Sequence, residues 1–362
     1  VLVRPSYVLG GRAMQIAYDK DNLESFSNEA LEVSSNNVIL IDEYLENAKE
    51  IDVDIIRDKN GEIFVAGIME HIEEAGIHSG DSACSLPPYS VSKETQNKII
   101  EWVSKIANEI NVVGLMNTQL AIKDKKIYVL EVNPRASRTV PFVAKSKGIP
   151  IAKIAAKVMV GENLNSILND YKINELKNFN VKESVFPFNK FDGVDLILGP
   201  EMKSTGEVMG IDETFLSSYI KSQIACGNIL PSKGTVFISI DNDNKKFIIE
   251  IAQKLKELDF NLLATKGTGE YLNTNNIKTK IVNKVKEGNP HVVDSLINNE
   301  IQLVINTTKT QSSIRDSYSI RRTSLMYNIP YYTTIAGAKV AVDAIEHMKT
   351  QEFTIKSLQT IN

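Results

Sequence analysis

Acidic and apolar residues alternate over residues 50–56, which predicts a β-strand with one charged face and one apolar face. The sequence Asp-Lys-Asn-Gly at 58–61 predicts a hairpin turn, and residues 63–68 predict the return strand. The charged face is either the solvated side of an antiparallel sheet or a surface that binds the ribose hydroxyls of a nucleotide.

A second alternating run, at 130–133, predicts another strand. Residues two apart share a face of a strand, so Glu131 and Asn133 point one way while Leu130 and Val132 point into a core. The strand ends at a proline, after which two arginines follow in a turn.

The segments 114–123 and 127–132 predict a hairpin around a three-residue loop at 124–126. In that register Gln119 lies opposite Glu131 on the same face. A two-residue loop would turn Gln119 to the other face, because a slip of one residue reverses every side chain of a strand.

Helical periodicity predicts helices at 93–110 and 149–159. A further helix is predicted at 21–34, with Asp21 as its N-cap and Glu24 completing a capping box.

Two intervening segments carry weaker patterns. Residues 38–45 predict a buried strand that continues into a connector, and the polar stretch 69–81 predicts a loop. That loop contains His71 and His78, whose spacing and lack of a cysteine partner do not fit a zinc site. We therefore interpret both histidines as polar loop residues.

Strands and helices alternate after a Gly-, Asn-, Pro- and Ser-rich boundary at 227–233. The predicted strands are 235–240, 261–265, 280–285 and 302–306, and the predicted helices are 245–258 and 336–347. This rhythm indicates a small parallel-sheet α/β domain, in which ligands bind beyond the carboxyl ends of the strands. Hydroxyl, amide and lysine groups in that position suit a phosphate, and the alternative is capping of the loops by Ser and Thr.

Composition limits the class of protein. With 362 residues, 43% hydrophobic and 24% charged, the chain is typical of a globular protein of two or three domains. A net charge of −4 gives no electrostatic footprint for nucleic acid. Cys84 and Cys226 do not form a disulfide framework, which fits a reducing cytoplasm. No run approaches the roughly 18 apolar residues of a membrane span, so we expect no membrane association.

Glu131 and Asn133 are candidate ligands of a hard cation, since Mg²⁺ prefers oxygen donors. Arg135 and Arg138 follow directly, and fixed cations beside a metal site are what phosphoryl transfer requires. The alternative is a solvated acidic strand end followed by a basic turn.

Gly10 and Gly11 form a glycine pair close to Arg4 and Arg12. Glycines in a loop allow the backbone amides to cradle phosphate oxygens, and the arginines would add positive charge. The alternative is a simple hairpin turn.

Four long motifs resemble the second, C-terminal half of the large subunit of carbamoyl phosphate synthetase. They are RPSYVLGGRAM at 4–14, IMEHIE at 68–73, HSGDSACSLP at 78–87 and EVNPRASRTVPF at 131–142. The runs at 181–191 and 198–210 also resemble this family, so the resemblance covers nearly the whole chain.

The resemblance implies roles for individual residues of the ATP site. The positions that match metal and phosphate ligands are Gln119, Glu131 and Asn133, and those that match catalytic groups are Arg135, Arg138 and again Asn133. The positions that match the phosphate loop are Arg4, Gly10, Gly11 and Arg12, and those that match the adenine connector are Asp42, Tyr44 and Leu45. Glu50 matches the carboxylate that binds the ribose, and His78 and Ser79 match a loop that borders the nucleotide.

The resemblance also implies regulatory sites. Candidate ligands of a nucleotide effector of the UMP or IMP type are Lys233, Thr265, Thr268, Lys284, Asn306 and Thr308. Positions that bind ornithine in some members of the family are matched by Glu73, Asp81, Glu183, Tyr331 and Thr333. Tyr332 stands where some relatives carry Asp, which argues against ornithine control.

The implied activity is phosphorylation of carbamate by ATP to give carbamoyl phosphate, a step toward arginine and pyrimidines. The implied cofactors are ATP with Mg²⁺ or Mn²⁺, and K⁺ is a further candidate. The implied partners are the N-terminal half of the synthetase, a glutaminase small subunit and further copies in an oligomer.

The implied fold is α/β and α+β, an N-terminally truncated ATP-grasp domain at 1–160, a connecting segment at 161–232 and a methylglyoxal-synthase-like, Rossmann-type domain at 233–362. Because the chain starts at Val1 within a strand, we expect it to begin inside a domain and to turn over little alone. Two other interpretations stay open, another ATP-grasp ligase such as a carboxylase with an effector domain, and a non-catalytic nucleotide sensor.

Overall fold

The computed structural model describes residues 1–6, 11–34, 38–173, 175–191, 193–351, 354–355 and 357. Its strands are β1 (Leu2–Pro5), β2 (Gln15–Ile16), β3 (Ile39–Asp42), β4 (Lys49–Arg57), β5 (Ile63–Glu74), β6 (Cys84–Leu86), β7 (Gly114–Lys123), β8 (Lys126–Asn133), β9 (Phe179–Val185), β10 (Gly206–Asp212), β11 (Thr235–Ser239), β12 (Asn261–Thr265), β13 (Lys280–Val282), β14 (Leu303–Asn306) and β15 (Tyr331–Tyr332). Its helices are α1 (Lys20–Val33), α2 (Lys93–Glu109), α3 (Val140–Lys147), α4 (Ile151–Met159), α5 (Leu164–Leu168), α6 (Phe215–Ala225), α7 (Lys245–Glu257), α8 (Lys266–Thr274), α9 (Val292–Ile297), α10 (Gln311–Met326) and α11 (Ile335–Thr350), with short 3₁₀ turns at Phe188–Lys190 and Val285–Glu287.

The chain divides into two compact units. The first comprises Val1–Tyr44, Val185–Gly206 and Gln223–Glu352, and the second is built mainly from Leu45–Ser184 and Glu207–Ser222.

The second unit contains a seven-stranded sheet in the order β10-β9-β6-β5-β4-β7-β8. One of its faces packs against α2 through a cluster that includes Ile51, Ile99 and Met116. Helices α3 and α4 cover part of the other face, where Ile56 and Val143 belong to a separate core. The hairpin predicted from Asp-Lys-Asn-Gly is confirmed, since it joins β4 to β5.

The first unit contains a three-stranded antiparallel sheet in the order β2-β1-β3. Strand β3 is not buried as predicted, because Leu40 is 44% and Ile41 52% exposed. Helix α1 begins one residue earlier than predicted, and Asp19 rather than Asp21 is its N-cap, accepting a hydrogen bond from the Asn22 amide at 2.7 Å.

The C-terminal part of the first unit confirms the predicted parallel sheet. Its five strands run in the order β13-β12-β11-β14-β15, and all four pairings are parallel. Both faces of its central strands are apolar, as expected of a sheet between helices. Within the described ranges, none of the helices combines the length and the apolar composition that crossing a bilayer requires.

Candidate functional site

A buried row of carboxylates lies on β4. Glu50, Asp52 and Asp54 are 5%, 1% and 1% exposed, and the isoleucine and valine residues between them pack on the α2 side of the sheet. The interpretation of this acidic face as a solvated surface is therefore wrong. Burying three carboxylates in one strand is costly unless neighbouring groups compensate.

Neighbouring strands extend this row with further polar side chains. Asp52 pairs with Gln119 on β7, and Gln119 pairs with Glu131 on β8. One step along the strands, Asn117 pairs with both Asp54 and Asn133. Residues directly opposite on neighbouring strands share a face. The predicted pairing of Gln119 with Glu131 is thus confirmed, while their role as metal ligands stays a prediction.

The hairpin has this register although its loop length differs from the prediction, because one strand contains a β-bulge. Its loop has two residues and not three, because Lys123 pairs with Lys126, and both loop residues have positive φ, 49° at Asp124 and 64° at Lys125. A register shift between Leu120 and Gln119 then inserts one extra residue into β8. This β-bulge restores the predicted face for Glu131.

The bulge also changes the surroundings of the strand. Val129 and Leu130 are 44% and 37% exposed, so the prediction that Leu130 points into a core is wrong. Val132, beyond the bulge, does pack against the core beneath α2.

His71 is not a loop residue as predicted, since it lies on β5 and is 2% exposed. Its Nε2 lies 3.4 Å from Asp52 Oδ2, and a ligand atom from each of Glu50, Asp52 and His71 falls within 4.8 Å of the others. His71 Nδ1 and Asp52 Oδ1 have no hydrogen-bond partner among the described residues. These three residues could hold a cation.

Burial perturbs the protonation of this cluster. Desolvation, reinforced by the charge of Asp52, raises the pKa of Glu50 to about 7, although His71 opposes the shift. Burial alone would lower the pKa of His71, but Asp52 and Glu50 together raise it.

A loop that contains His78 and Ser79 borders the row. Gln119 Nε2 donates to Ser79 Oγ at 2.9 Å, which leaves the amide oxygen of Gln119 as the group able to meet a cation. Lys182 on β9 donates to the Ser79 carbonyl at 3.1 Å. Burial, aided by the charge of Arg138, lowers the pKa of His78, although the charge of Asp81 opposes the shift.

The two predicted arginines follow β8 in an exposed turn. Arg135 Nη1 donates to the Ala136 carbonyl at 3.1 Å, and the Arg135 amide donates to the Asn133 carbonyl at 2.8 Å. The turn is fastened to β4 by Ser137 and Thr139, whose hydroxyls donate to Asp54. Glu131 and Asn133 thus lie at the end of β8, and the two arginines follow in the turn directly after it.

The predicted phosphate-loop residues lie in the first unit. Gly10 lies outside the described residues. Gly11 has φ +73°, and a side chain there would place a Cβ 2.1 Å from the Pro200 carbonyl oxygen, so only glycine fits. Arg4 Nε forms an ion pair with Asp42 Oδ2 at 2.7 Å.

The remaining predicted residues of the phosphate loop and the adenine connector are divided between the units. Arg12, which follows Gly11, and Tyr44, whose ring packs edge-on to Tyr18 with centroids 6.5 Å apart, belong to the first unit. Leu45 is the first residue of the second. Their roles in binding a nucleotide stay predictions.

A cavity of 520 Å³ lies beyond the carboxyl ends of β11, β12 and β14. Five of the six predicted effector residues line it, namely Thr265, Thr268, Lys284, Asn306 and Thr308. Lys233 is not among the lining residues, because it precedes β11 and so lies at the opposite end of that strand. The prediction missed Lys245 and Lys309, which also line the cavity and begin or precede helices.

The candidate ornithine residues are similarly distributed between the units. Glu73 Oε2 accepts hydrogen bonds from Ser82 Oγ at 2.7 Å and from the Ala83 amide at 2.8 Å, and Asp81 is 1% exposed. Glu183 lies on β9 of the same unit.

Tyr331 and Thr333 belong to the first unit. The Tyr331 hydroxyl donates to Asn306 Oδ1 at 2.8 Å, and burial raises the pKa of this phenol. Tyr331 therefore contacts the cavity through Asn306. Tyr332 is 9% exposed.

Comparison with family models gives two matches. Residues 1–167 match the model described as carbamoyl-phosphate synthase L chain, ATP binding domain, and residues 247–333 match the MGS-like domain. Together with the parallel C-terminal sheet, these matches confirm the predicted fold class, an ATP-grasp domain followed by a methylglyoxal-synthase-like domain.

Individual relatives extend the similarity over the whole chain. The carbamoyl phosphate synthase large chain, C-terminal section, of Aquifex aeolicus is 48% identical over 100% of this chain and 71% of that protein. The carbamoyl phosphate synthase large chain of Myxococcus xanthus is 50% identical over 99% of this chain. The chain spans only 33% of the length of that relative. Among solved structures, a biotin carboxylase complex from Campylobacter jejuni has a TM-score of 0.49 and 16% identity over 62% of this chain and 56% of that one.

Proposed function

The chain belongs to the family of the carbamoyl phosphate synthase large chain, and we propose that it carries the part of that enzyme which phosphorylates carbamate with ATP. The observation that carries the proposal is the alignment of Gln119, Glu131 and Asn133 on one sheet face, beside a turn that bears two arginines. A non-catalytic sensor would not need this combination of acidic, amide and guanidinium groups.

The donor set of this face fits Mg²⁺. The Glu131 carboxylate and the amide oxygens of Gln119 and Asn133 are hard oxygen ligands, and Gln119 already directs its amide nitrogen to Ser79. The bound ion would neutralise charge on the phosphates of ATP. Mn²⁺ would suit the same oxygens, and the cluster of Glu50, Asp52 and His71 is a separate candidate for K⁺.

In the proposed reaction a carbamate oxygen attacks the γ-phosphorus in line. The new O–P bond forms as the bond to the β,γ-bridging oxygen breaks, and ADP leaves with the electron pair. Arg135 and Arg138 would hold the carbamate and the transferred phosphoryl group, which gathers negative charge on its oxygens. No covalent enzyme intermediate is required, so positioning supplies most of the rate enhancement.

The remaining roles are proposals of the same kind. We infer that the N-terminal half of the large chain supplies carbamate, that a glutaminase subunit supplies ammonia and that the assembled enzyme works in the cytoplasm as an oligomer. The cavity beyond β11, β12 and β14 would bind a nucleotide effector of the UMP or IMP type, since its lysines and hydroxyls suit a phosphate.

The test is Glu131→Gln in the complete large chain. Formation of carbamoyl phosphate, and the reverse synthesis of ATP from carbamoyl phosphate and MgADP, should both be lost. Calorimetric binding of UMP or IMP should be retained. The matched control is Glu101→Gln, which removes an exposed carboxylate of α2 that forms an ion pair with Lys105 at i+4. Retention of both reactions by the Glu131 variant would contradict the proposal, and a product other than carbamoyl phosphate would favour a different ATP-grasp ligase.

A further inference from the structure

Asp54 is a buried carboxylate that collects hydrogen bonds from three different parts of the second unit. Its Oδ1 accepts from Asn117 Nδ2 at 2.9 Å and from Ser137 Oγ at 2.7 Å, and its Oδ2 accepts from Thr139 Oγ1 at 2.6 Å. Asn117 lies on β7, Ser137 in the turn after β8, and Thr139 at the start of α3. One side chain of β4 therefore joins a neighbouring strand, the arginine turn and a helix.

The Thr139 side chain binds Asp54 and does not cap its own helix. It is the N-cap residue of α3, a position where a threonine oxygen normally accepts a hydrogen bond from the first turn of the helix. Here the helix has no side-chain cap hydrogen bond. The Thr139 hydroxyl lies 2.7 Å from that of Ser137, and both are directed to the carboxylate. The start of α3 is thus tied to β4 and not capped locally.

The hydrogen bonds from Ser137 and Thr139 to the Asp54 carboxylate hold the turn firmly to β4. An ionised carboxylate only accepts hydrogen bonds, so both hydroxyls must direct their hydrogens toward Asp54, and such charge-assisted bonds are strong. Ser137 lies between Arg135 and Arg138 in the sequence. Both arginines are exposed, so the backbone of the turn sets the position of each Cα and the direction in which each side chain leaves it.

We propose that Asp54 is a positioning residue that holds the turn between Asn133 and Thr139 and thereby orients Arg135 and Arg138 toward the reacting phosphoryl group. This inference rests on the proposed function. In this proposal Asp54 acts through the hydroxyls of Ser137 and Thr139, which donate to it, and not by direct contact with the reacting groups.

The test compares Asp54→Asn with wild type in the complete large chain, measuring kcat and the KM for ATP in carbamoyl phosphate formation. The amide keeps the shape of the side chain but replaces one acceptor by a donor that faces hydroxyl donors. We expect kcat to fall about ten-fold or more, because a small misplacement of positioning groups has effects of this size. The KM for ATP should change by no more than about two-fold, since the proposed cation ligands Gln119, Glu131 and Asn133 are unchanged in this variant.

Two further variants separate positioning from folding. Thr139→Val should reproduce the fall in kcat, and Thr139→Ser, which keeps the hydroxyl, should restore it. The matched control is Asp58→Asn. Asp58 is also 1% exposed and accepts from the amides of Asn60, Glu62 and Leu164, far along the chain from the arginine turn. That variant should lower stability but keep kcat per folded molecule.

Glu131→Gln, assayed alongside, distinguishes the two proposals. Loss of activity in Glu131→Gln together with unchanged kcat in Asp54→Asn and Thr139→Val would overturn the positioning role alone. Full activity in Glu131→Gln would overturn the proposed function itself. Should Asp54→Asn fail to fold, the contrast between Thr139→Val and Thr139→Ser decides the question, and equal kcat in those two variants would overturn the inference.

Discussion

Replacing Glu50 by glutamine should stabilise the second unit at neutral pH, and the gain should depend on pH in a defined direction. Glu50 is 5% exposed, and burial raises its pKa from 4.5 to about 7. The folded protein therefore holds the Glu50 proton more tightly than the unfolded chain does. The stability that this proton provides is complete below pH 4.5 and is lost as the pH rises through 7.

The magnitude follows from the size of the shift. A difference of one pKa unit is worth about 1.4 kcal/mol, so a rise from 4.5 to about 7 corresponds to about 3 kcal/mol between pH 4 and pH 8. The glutamine side chain has no proton to lose and keeps a similar shape. Relative to wild type, the Glu50→Gln variant should gain about 3 kcal/mol in free energy of unfolding over this range. Asp54, whose pKa burial raises to about 6, titrates in both proteins and so cancels in the difference. His71 does not cancel, because Glu50 helps to raise its pKa and that support is lost in the variant, which makes about 3 kcal/mol the upper value of the gain.

Urea unfolding at several pH values measures this difference. The chain has a single tryptophan, Trp102 on α2, so its fluorescence reports unfolding of the unit that contains Glu50. Glu70→Gln is the matched control. Glu70 is 0% exposed, but its carboxylate accepts from the amides of Ser90 at 2.7 Å and Val91 at 3.2 Å, so this variant should lose stability at neutral pH. Free energies of wild type and Glu50→Gln that stay parallel from pH 4 to pH 8 would refute the reasoning.

Three shorter predictions concern other parts of the chain. Lys125→Gly should raise the free energy of unfolding of the second unit by about 1 kcal/mol in urea titrations, because Lys125 has φ 64° in a two-residue hairpin turn that favours glycine. Gly11→Ala should raise the KM for ATP of the complete large chain without changing effector binding, since the added Cβ would collide with the Pro200 carbonyl. Lys284→Met should weaken binding of UMP or IMP about ten-fold or more in calorimetry, by removing a cation from the cavity wall, while leaving basal carbamoyl phosphate synthesis unchanged.

The sequence predicted most strands and helices because their periodicities are local properties. The alternation on β4 correctly separated an apolar face from an acidic one. It could not show that the acidic face is buried, because that depends on His71 from β5 and on the loop held to Gln119 through Ser79. The prediction that His71 lies in a loop rested on the many polar residues of 69–81, yet β5 extends to Glu74.

Contacts between distant segments were equally invisible in the sequence. The hydrogen bonds from Ser137 and Thr139 to Asp54 span 83 and 85 residues, and no local sequence motif predicts them. By contrast, five of the six predicted effector residues do line one cavity, because the carboxyl ends of parallel strands meet at one edge of the sheet. Lys233 precedes its strand, so this rule does not bring it to that edge.

The extra residue in β8 decides which side of the sheet the proposed chemistry occupies. With the observed two-residue turn and no bulge, Glu131 would pair with Thr118 and not with Gln119, because the side-chain period of a strand is two. Thr118 is 0% exposed on the face that packs against α2, among Met116 and Leu120. A carboxylate there would be buried among apolar groups with no compensating partner, which is strongly unfavourable. The bulge therefore allows a two-residue turn while keeping Glu131 on the polar face of the sheet. The predicted pairing of Gln119 with Glu131 was correct because the loop is one residue shorter than predicted and the bulge adds one residue to β8.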